Sequence, residues 1–315
     1  MLASGRSFSI QVGIVISLVF GRCDCYSQTE ALANKVSEDS ELIVRTEVQE
    51  VNLIFTITDH RGHFIDKLTP AEITVRDNGE IPKRITHFET QADLPLRVAL
   101  VIDSSNSVLG WFNSEKYVAD AFLKQTLRKP SDRALIVGFN EQARIAQGPT
   151  RDYRLLSRAI KKLPPGGNTA IYDAVDLASR KLGNIGNYQP SRRAIILITD
   201  GDDNSSHMTL QQAAEACEQN ESIVYVMNTS QEPWRNNQAE LAMKQFSEAT
   251  GGQYWRADNE ARISNAFDKI MNGLRSQYAI AYQPANIKPD GSFHLISVLV
   301  PKKLLVHHRR GYFAR

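Results

Sequence analysis

The sequence predicts a doubly wound α/β domain with a mostly parallel sheet, inserted into a small antiparallel β domain. Three observations carry this. The runs Val98 to Ile102 and Ala194 to Ile198 are apolar without polar alternation, as in strands buried on both faces. From Leu94 to Arg275 such strands alternate with helix-period segments, the grammar of units joined by right-handed crossovers. Before and after this stretch the period falls to two and crossover helices are missing, as in antiparallel strands.

Composition bounds the classes. A chain of 315 residues, 42% hydrophobic and 23% charged, is long enough for two domains with a substantial core and is expected to be neither disordered nor a coiled coil. The formal charge is +2, and Lys and Arg are interspersed with Asp and Glu, so there is no basic stripe for nucleic acid. Residues 1–27 read as a secretory signal: Arg6 gives a positive start, Ile10 to Phe20 is mostly apolar, and small or polar residues follow from Gly21. That run is short of the about 20 residues a spanning helix needs, so no transmembrane span is expected once the signal is removed. A lipoprotein cysteine at Cys23 is the alternative, disfavoured by the bulky Arg22 before it. The expected location is secreted or periplasmic.

Residues 28–42 are polar and aperiodic, a flexible N-terminus. The first part of the β domain spans residues 43–92. Val51, Leu53, Phe55 and Ile57 alternate with Asn52, Thr56 and Thr58 as in a half-buried strand, and Asp59 to Gly62 turn. Thr69 before Pro70 fits an N-cap with proline at the first helical position. Ile73 and Val75 read as a short strand, Asp77-Asn78-Gly79 as a hairpin turn, and Ile85 to Phe88 as the returning strand.

The α/β domain spans residues 93–276. After the strand Val98 to Ile102 come a helix at Glu115 to Leu127, a strand at Ala134 to Phe139 and an edge strand at Ala143 to Gln147. Helices follow at Tyr153 to Leu163 and Ala170 to Leu182, the latter with Ile171, Ala174, Val175 and Ala178 on one face. Beyond Ala194 to Ile198 lie a helix at 209–220, a strand at Ile223 to Met227, a helix at Gln238 to Thr250, a strand at Gln253 to Trp255 and a helix at Asn259 to Arg275. Cys217 shares a helical face with Leu210, Ala213 and Ala214 and reads as a small buried hydrophobe. In residues 277–315, Gln277 to Tyr282 and His294 to Val300 alternate around an Asp290-Gly291 turn and pair with the first β segment.

In open α/β sheets ligands sit beyond the carboxyl ends of the strands. Three pieces fall there: Asp103-x-Ser105-x-Ser107, Thr169 in PPGGNTAIYDA, and Asp200 in ITDGDD. All five side chains offer oxygen, which suits a hard cation, Mg²⁺, Mn²⁺ or Ca²⁺, over zinc or copper. Two carboxylates at most balance the ion, so it keeps attraction for an outside Asp or Glu.

These pieces resemble the metal-ion-dependent adhesion site of von Willebrand factor A-type domains. The flanking TDHRGHFIDKLTPAEITVRDNGEIPKRI and RRGYFAR resemble segments that bracket such a domain in bacterial secreted "VWFA-related" proteins. The resemblance covers about residues 45 to 315 and implies metal binding by Asp103, Ser105, Ser107, Thr169 and Asp200, some through water. It implies an adhesion-type module that is no enzyme, with a protein partner offering Asp or Glu and contacted around Trp111, Gly167, Asn168 and Asp202. It also implies that the last helix can slide when the metal gains a ligand.

Other readings stand beside it. A DxS at a strand end caps helices, and Thr169 equally reads as the N-cap of its helix. Asp202, Asp203 and Asn204 read as a solvated loop rather than as ligands. Gly166-Gly167 lacks the GK[ST] of a phosphate loop. His60 with His63, and His307 with His308, fall in expected turns without further zinc ligands. A metal-dependent phosphoester hydrolase with Asp103 as nucleophile is the rival class, weakened because position 105 is serine, where such enzymes carry a second Asp. No GxSxG elbow is present. The third class is a structural domain whose metal only orders loops.

Overall fold

A computed structural model describes residues 50–314, except 91–93, 109, 111, 187–190, 201, 231–236 and 302. The signal, the flexible segment, the first residues of the expected β domain (43–49) and Trp111 lie outside these residues.

The centre is a six-stranded sheet in the order β6-β5-β4-β7-β8-β9. Its strands are β4 (Leu96–Asp103), β5 (Arg133–Phe139), β6 (Ala143–Thr150), β7 (Arg192–Thr199), β8 (Ser222–Asn228) and β9 (Tyr254–Arg256). All pairs are parallel except β5 with β6. Every residue of β4 is buried, and its alternate side chains enter two different cores. Leu96, Val98, Leu100 and Ile102 pack with α1 (Phe112–Thr126), α2 (Tyr153–Lys161) and α6 (Glu260–Arg275). Ala99 and Val101 pack with α3 (Ile171–Gly183), α4 (Leu210–Gln219) and α5 (Asn237–Ala249). Helices on both faces explain why this strand has no polar alternation. Each large side chain so buried contributes roughly 1.5–3 kcal/mol. Cys217 is fully buried in the second core.

The chain builds outward from β4 to β5 and β6, then returns to lay β7 on the other side. The switch point therefore falls between β4 and β7, which end in Asp103 and directly before Asp200. In open α/β sheets such a switch point is where a ligand crevice forms.

The flanking segments form two antiparallel sheets, β12-β1-β10-β3 and β13-β11-β2. They comprise β1 (Val51–Asp59), β2 (Thr74–Asp77), β3 (Arg84–Thr90), β10 (Tyr278–Gln283), β11 (Phe293–Leu299), β12 (Leu304–His308) and β13 (Gly311–Phe313). Leu53, Phe55, Ile57, Tyr278, Ile280, Tyr282, Ile296 and Val298 make their core. Strand β10 starts three residues after α6 ends and pairs with β1, Val51 opposite Tyr282.

Several expectations change. The Asp77-Asn78-Gly79 turn forms, with Asn78 and Gly79 at positive φ of 48° and 83°. It closes a single antiparallel bridge, Asp77 N–H to Glu80 O and Glu80 N–H to Asp77 O at 2.9 Å each, but does not join β2 to β3, because β2 pairs with β11 while β3 pairs with β10 in the other sheet. Thr56 and Thr58 are buried, since the second half of β1 is covered on both faces. His307 and His308 lie in strand β12, where His307 Nε2 is 3.1 Å from the Thr58 hydroxyl, and in no turn. Helix α1 begins at Phe112, three residues before Glu115, and this places Glu115 on its inner face.

Candidate functional site

The loop after β4 is held by its own polar atoms. Asp103 is fully buried; its Oδ1 accepts the Ser105 N–H at 2.8 Å and its Oδ2 accepts the Thr199 hydroxyl at 2.6 Å. The hydroxyls of Ser105 and Ser107 lie 3.0 Å apart. Ser107 is exposed, so the pair runs from the buried strand end to the surface.

The loop carrying Thr169 is fastened to the same place. Gly166 N–H donates to Ser104 O at 2.6 Å, and Asn106 N–H to Gly167 O at 3.1 Å. Gly166 and Gly167 stand at φ of 118° and 95°, a region that a side chain disfavours, and a Cβ on Gly167 would sit 3.3 Å from the Asn140 side chain. The two glycines thus let this backbone lie against the loops after β4 and β5. Thr169 is buried, Gly167 half-buried and Asn168 exposed at the rim.

The loop after β7 does more than the solvated reading allowed. Asp203 Oδ2 accepts the N–H groups of Ile171 at 2.7 Å and Tyr172 at 3.3 Å, and the Ser206 hydroxyl oxygen accepts that of Tyr172 at 3.0 Å. Asn204 Oδ1 accepts the Thr169 N–H at 2.9 Å. Helix α3 is therefore capped from another loop, and its own N-cap, Ala170, has no side chain that can cap it. Thr169 is therefore not needed as a cap. Asp202 is half-buried beside these residues.

Asp200 Oδ1 is buried without a hydrogen-bond partner. The sequence reading missed a second such carboxylate. Glu115, in the first turn of α1, is 0% exposed, and its oxygens make no close hydrogen bond, with the Thr229 hydroxyl standing nearby. A signal was there: Phe112, Glu115, Ala119 and Phe122 follow the 3–4 spacing of a buried stripe, so an acid stands at an apolar position.

The electrostatics follow from burial. Desolvation lifts the Asp103 carboxyl to about 6, against the bonds from Thr199 and Ser105, and the charge of Asp200 adds to the rise. Desolvation lifts Glu115 to about 8, opposed by the nearby Thr229 hydroxyl and reinforced by Asp103 and Asp200. The three carboxyls are thus near enough for their charges to act on one another.

The donors are all oxygen and several buried lone pairs are unused, which fits a hard divalent cation. Among the described residues no three His, Cys, Asp or Glu side chains converge closely enough to hold an ion by themselves. Any such set would need oxygens from other residue types as well.

Comparison with known proteins agrees with this architecture. Residues 98–202 match the family model of the von Willebrand factor type A domain. No curated protein matches the chain. Among solved structures, an aerotolerance-related membrane protein of Bacteroides fragilis is 20% identical, with 56% of this chain aligned to 98% of that one and a TM-score of 0.46. The von Willebrand factor domain of a type V pilus tip protein from Porphyromonas gingivalis is 13% identical over 56% of this chain and 94% of that one, TM-score 0.46. The pilus adhesin SpaC of Lactobacillus rhamnosus GG, in an open conformation, is 10% identical over 80% of this chain and 48% of that one, TM-score 0.49. With these scores below 0.5, the fold assignment rests on the sheet order and on the match at 98–202. Among the described residues no helix is long and apolar enough to cross a membrane.

Proposed function

Since this chain carries a von Willebrand factor type A domain, we propose that it is an exported protein-binding module that captures an acidic side chain of a partner through a divalent cation. Asp103, Ser105, Ser107, Thr169 and Asp200 would hold the cation, Mg²⁺ in the first instance, with Mn²⁺ or Ca²⁺ as substitutes. The ion supplies a positive charge that an outside carboxylate can join. The chain's own residues do the rest: Thr199 and the Ser105 amide fix the Asp103 carboxylate, Asp203 and Asn204 fix the Thr169 loop, and the exposed Ser107 and Asn168 mark the open rim.

The observation that carries the reading is the unused Asp200 Oδ1 at the topological switch point, opposite the strand that ends in Asp103 and the serine pair. A domain that only packs gains nothing from a buried carboxylate oxygen with no donor. Trp111, Gly167, Asn168 and Asp202 are the expected partner contacts.

The test is calorimetric titration of Mg²⁺, Mn²⁺ and Ca²⁺ into the chelated protein and into its Asp103→Ala variant. Saturable binding to one site in the first and none in the second is expected, followed by Mg²⁺-dependent, chelator-reversible retention of acidic protein partners. A correctly folded protein that binds none of the three ions refutes the cation site. Partner binding that ignores chelator would make the domain a cation-independent module.

A further inference from the structure

Glu115 plays no part in the cation set just proposed, yet its surroundings are those of a group that needs a cation. It is fully enclosed on the inner face of α1, among positions that otherwise take Phe112, Val118, Ala119 and Phe122. Hydrophobic residues of similar volume are often as good or better at a buried charged position. Instead the chain buries a carboxyl group whose oxygens make no close hydrogen bond, the Thr229 hydroxyl standing near enough to offset only part of its desolvation. The charges that act on it, Asp103 and Asp200, have the same sign as its own, and the nearby Thr229 hydroxyl opposes them only in part. Acidic groups arranged in this way repel one another unless positive charge stands among them.

We propose that Glu115 is an outer carboxylate of the cation site, acting on the ion through water rather than as a direct ligand. This rests on the reading of the site as cation-binding. The indirect role follows because no three acidic side chains converge to ligating distance among the described residues. Groups that hold and orient the inner ligands or their water typically change metal affinity ~10- to 100-fold when removed. Glu115 also changes the charge count: with Asp103 and Asp200 it sets three negative charges around a divalent ion. The site then retains its cation without a partner, and it attracts an outside carboxylate less strongly than two aspartates alone would allow. Glu115 is in this sense a positioning and charge-setting residue.

The test compares the full chain with Glu115→Gln, Glu115→Asp and Asp103→Ala, titrating Mg²⁺ and Mn²⁺ into each after chelation and following the thermal midpoint with chelator and with saturating Mg²⁺. Glu115→Gln is expected to weaken cation binding ~10- to 100-fold while raising the midpoint in chelator, so that Mg²⁺ shifts it less. Glu115→Asp keeps the charge and recovers part of the affinity. Opposite effects on affinity and on metal-free stability are what a packing role does not produce. Unchanged cation affinity in Glu115→Gln overturns the proposal. If that variant does not fold, Glu115→Asp decides: it withdraws the carboxylate by one methylene, and affinity equal to that of the unaltered chain overturns the proposal. Absence of cation binding in the unaltered chain overturns both this inference and the reading beneath it. Binding lost in Asp103→Ala but intact in Glu115→Gln overturns this inference alone.

Discussion

Asp77 and Tyr312 stand 235 positions apart in the chain, and the tyrosine hydroxyl donates to Asp77 Oδ2 at 2.8 Å. Tyr282 donates to the same oxygen at 2.8 Å, and His294 Nδ1 lies 2.7 Å from Oδ1. The TVRDNGE and RRGYF segments therefore meet at one buried carboxylate, and the strands β2, β10, β11 and β13 are tied through it.

Tyr312→Phe removes one bond to a buried acceptor that keeps its other partners. Urea unfolding should show a loss of about 1.5–3 kcal/mol, the usual worth of a hydrogen bond to a charged group. A change below about 0.5 kcal/mol would mean that Asp77 is held by Tyr282 and His294 alone.

Asp203→Ala uncaps α3 from outside the helix. A loss of about 0.5–2 kcal/mol is expected, the range for a removed N-cap. Amide exchange at 169–172 should quicken with it, because the same loop fixes Thr169. Unaltered exchange there would separate the cap from the site.

Glu115 gives the metal-free protein a signed pH dependence. Its folded value, about 8, lies above the ordinary 4.5, so the folded chain keeps a proton that the unfolded chain releases. Stability from this group is complete below the ordinary value and is lost as pH rises through about 8. Asp103, lifted to about 6, acts in the same direction over a lower range. His307 and His308, pushed down by burial, act oppositely but only up to their ordinary 6.5. In chelator the thermal midpoint should fall between about pH 6.5 and 8.5, and this fall should vanish in Glu115→Gln. A midpoint that rises across that interval contradicts the burial of an ionisable Glu115.

Arg192 pins the end of α6. Its guanidinium donates to Leu274 O, and to Leu94 O at 2.8 and 3.1 Å, just before the chain enters β10. Arg192→Lys keeps the charge but loses the planar fork that reaches both carbonyls. Hydrogen exchange at 271–277 should accelerate while β4 stays protected. Equal protection throughout would show that Phe122 stacked on Phe267, with centroids 4.3 Å apart, anchors the helix without it.

Much of this architecture is local and was legible. The run Val98 to Ile102 became β4, and Asp103 and Asp200 sit at strand ends because strand length and polarity change within a few residues of them. Asn78 and Gly79 took the positive φ that their residue types favour. Partner choice was not local. Asp77-Asn78-Gly79 looks like a hairpin turn to its neighbours, yet β2 finds β11 and β3 finds β10, each more than 190 positions away by the register of Ala281 with His87 and of Val75 with Val298. The short strand Leu304–His308 carries too few alternating residues to announce itself and exists because β1 offers it an edge.

The sequence by itself determined the period of each element and the residues, Asp103 and Asp200 among them, that end the central strands. Only the tertiary structure decided that Glu115 is sealed from solvent, that Asp203 caps a helix it does not precede, and that the two β segments close on Asp77. Period and composition act over a few residues, whereas burial and pairing depend on surfaces supplied from the far end of the chain.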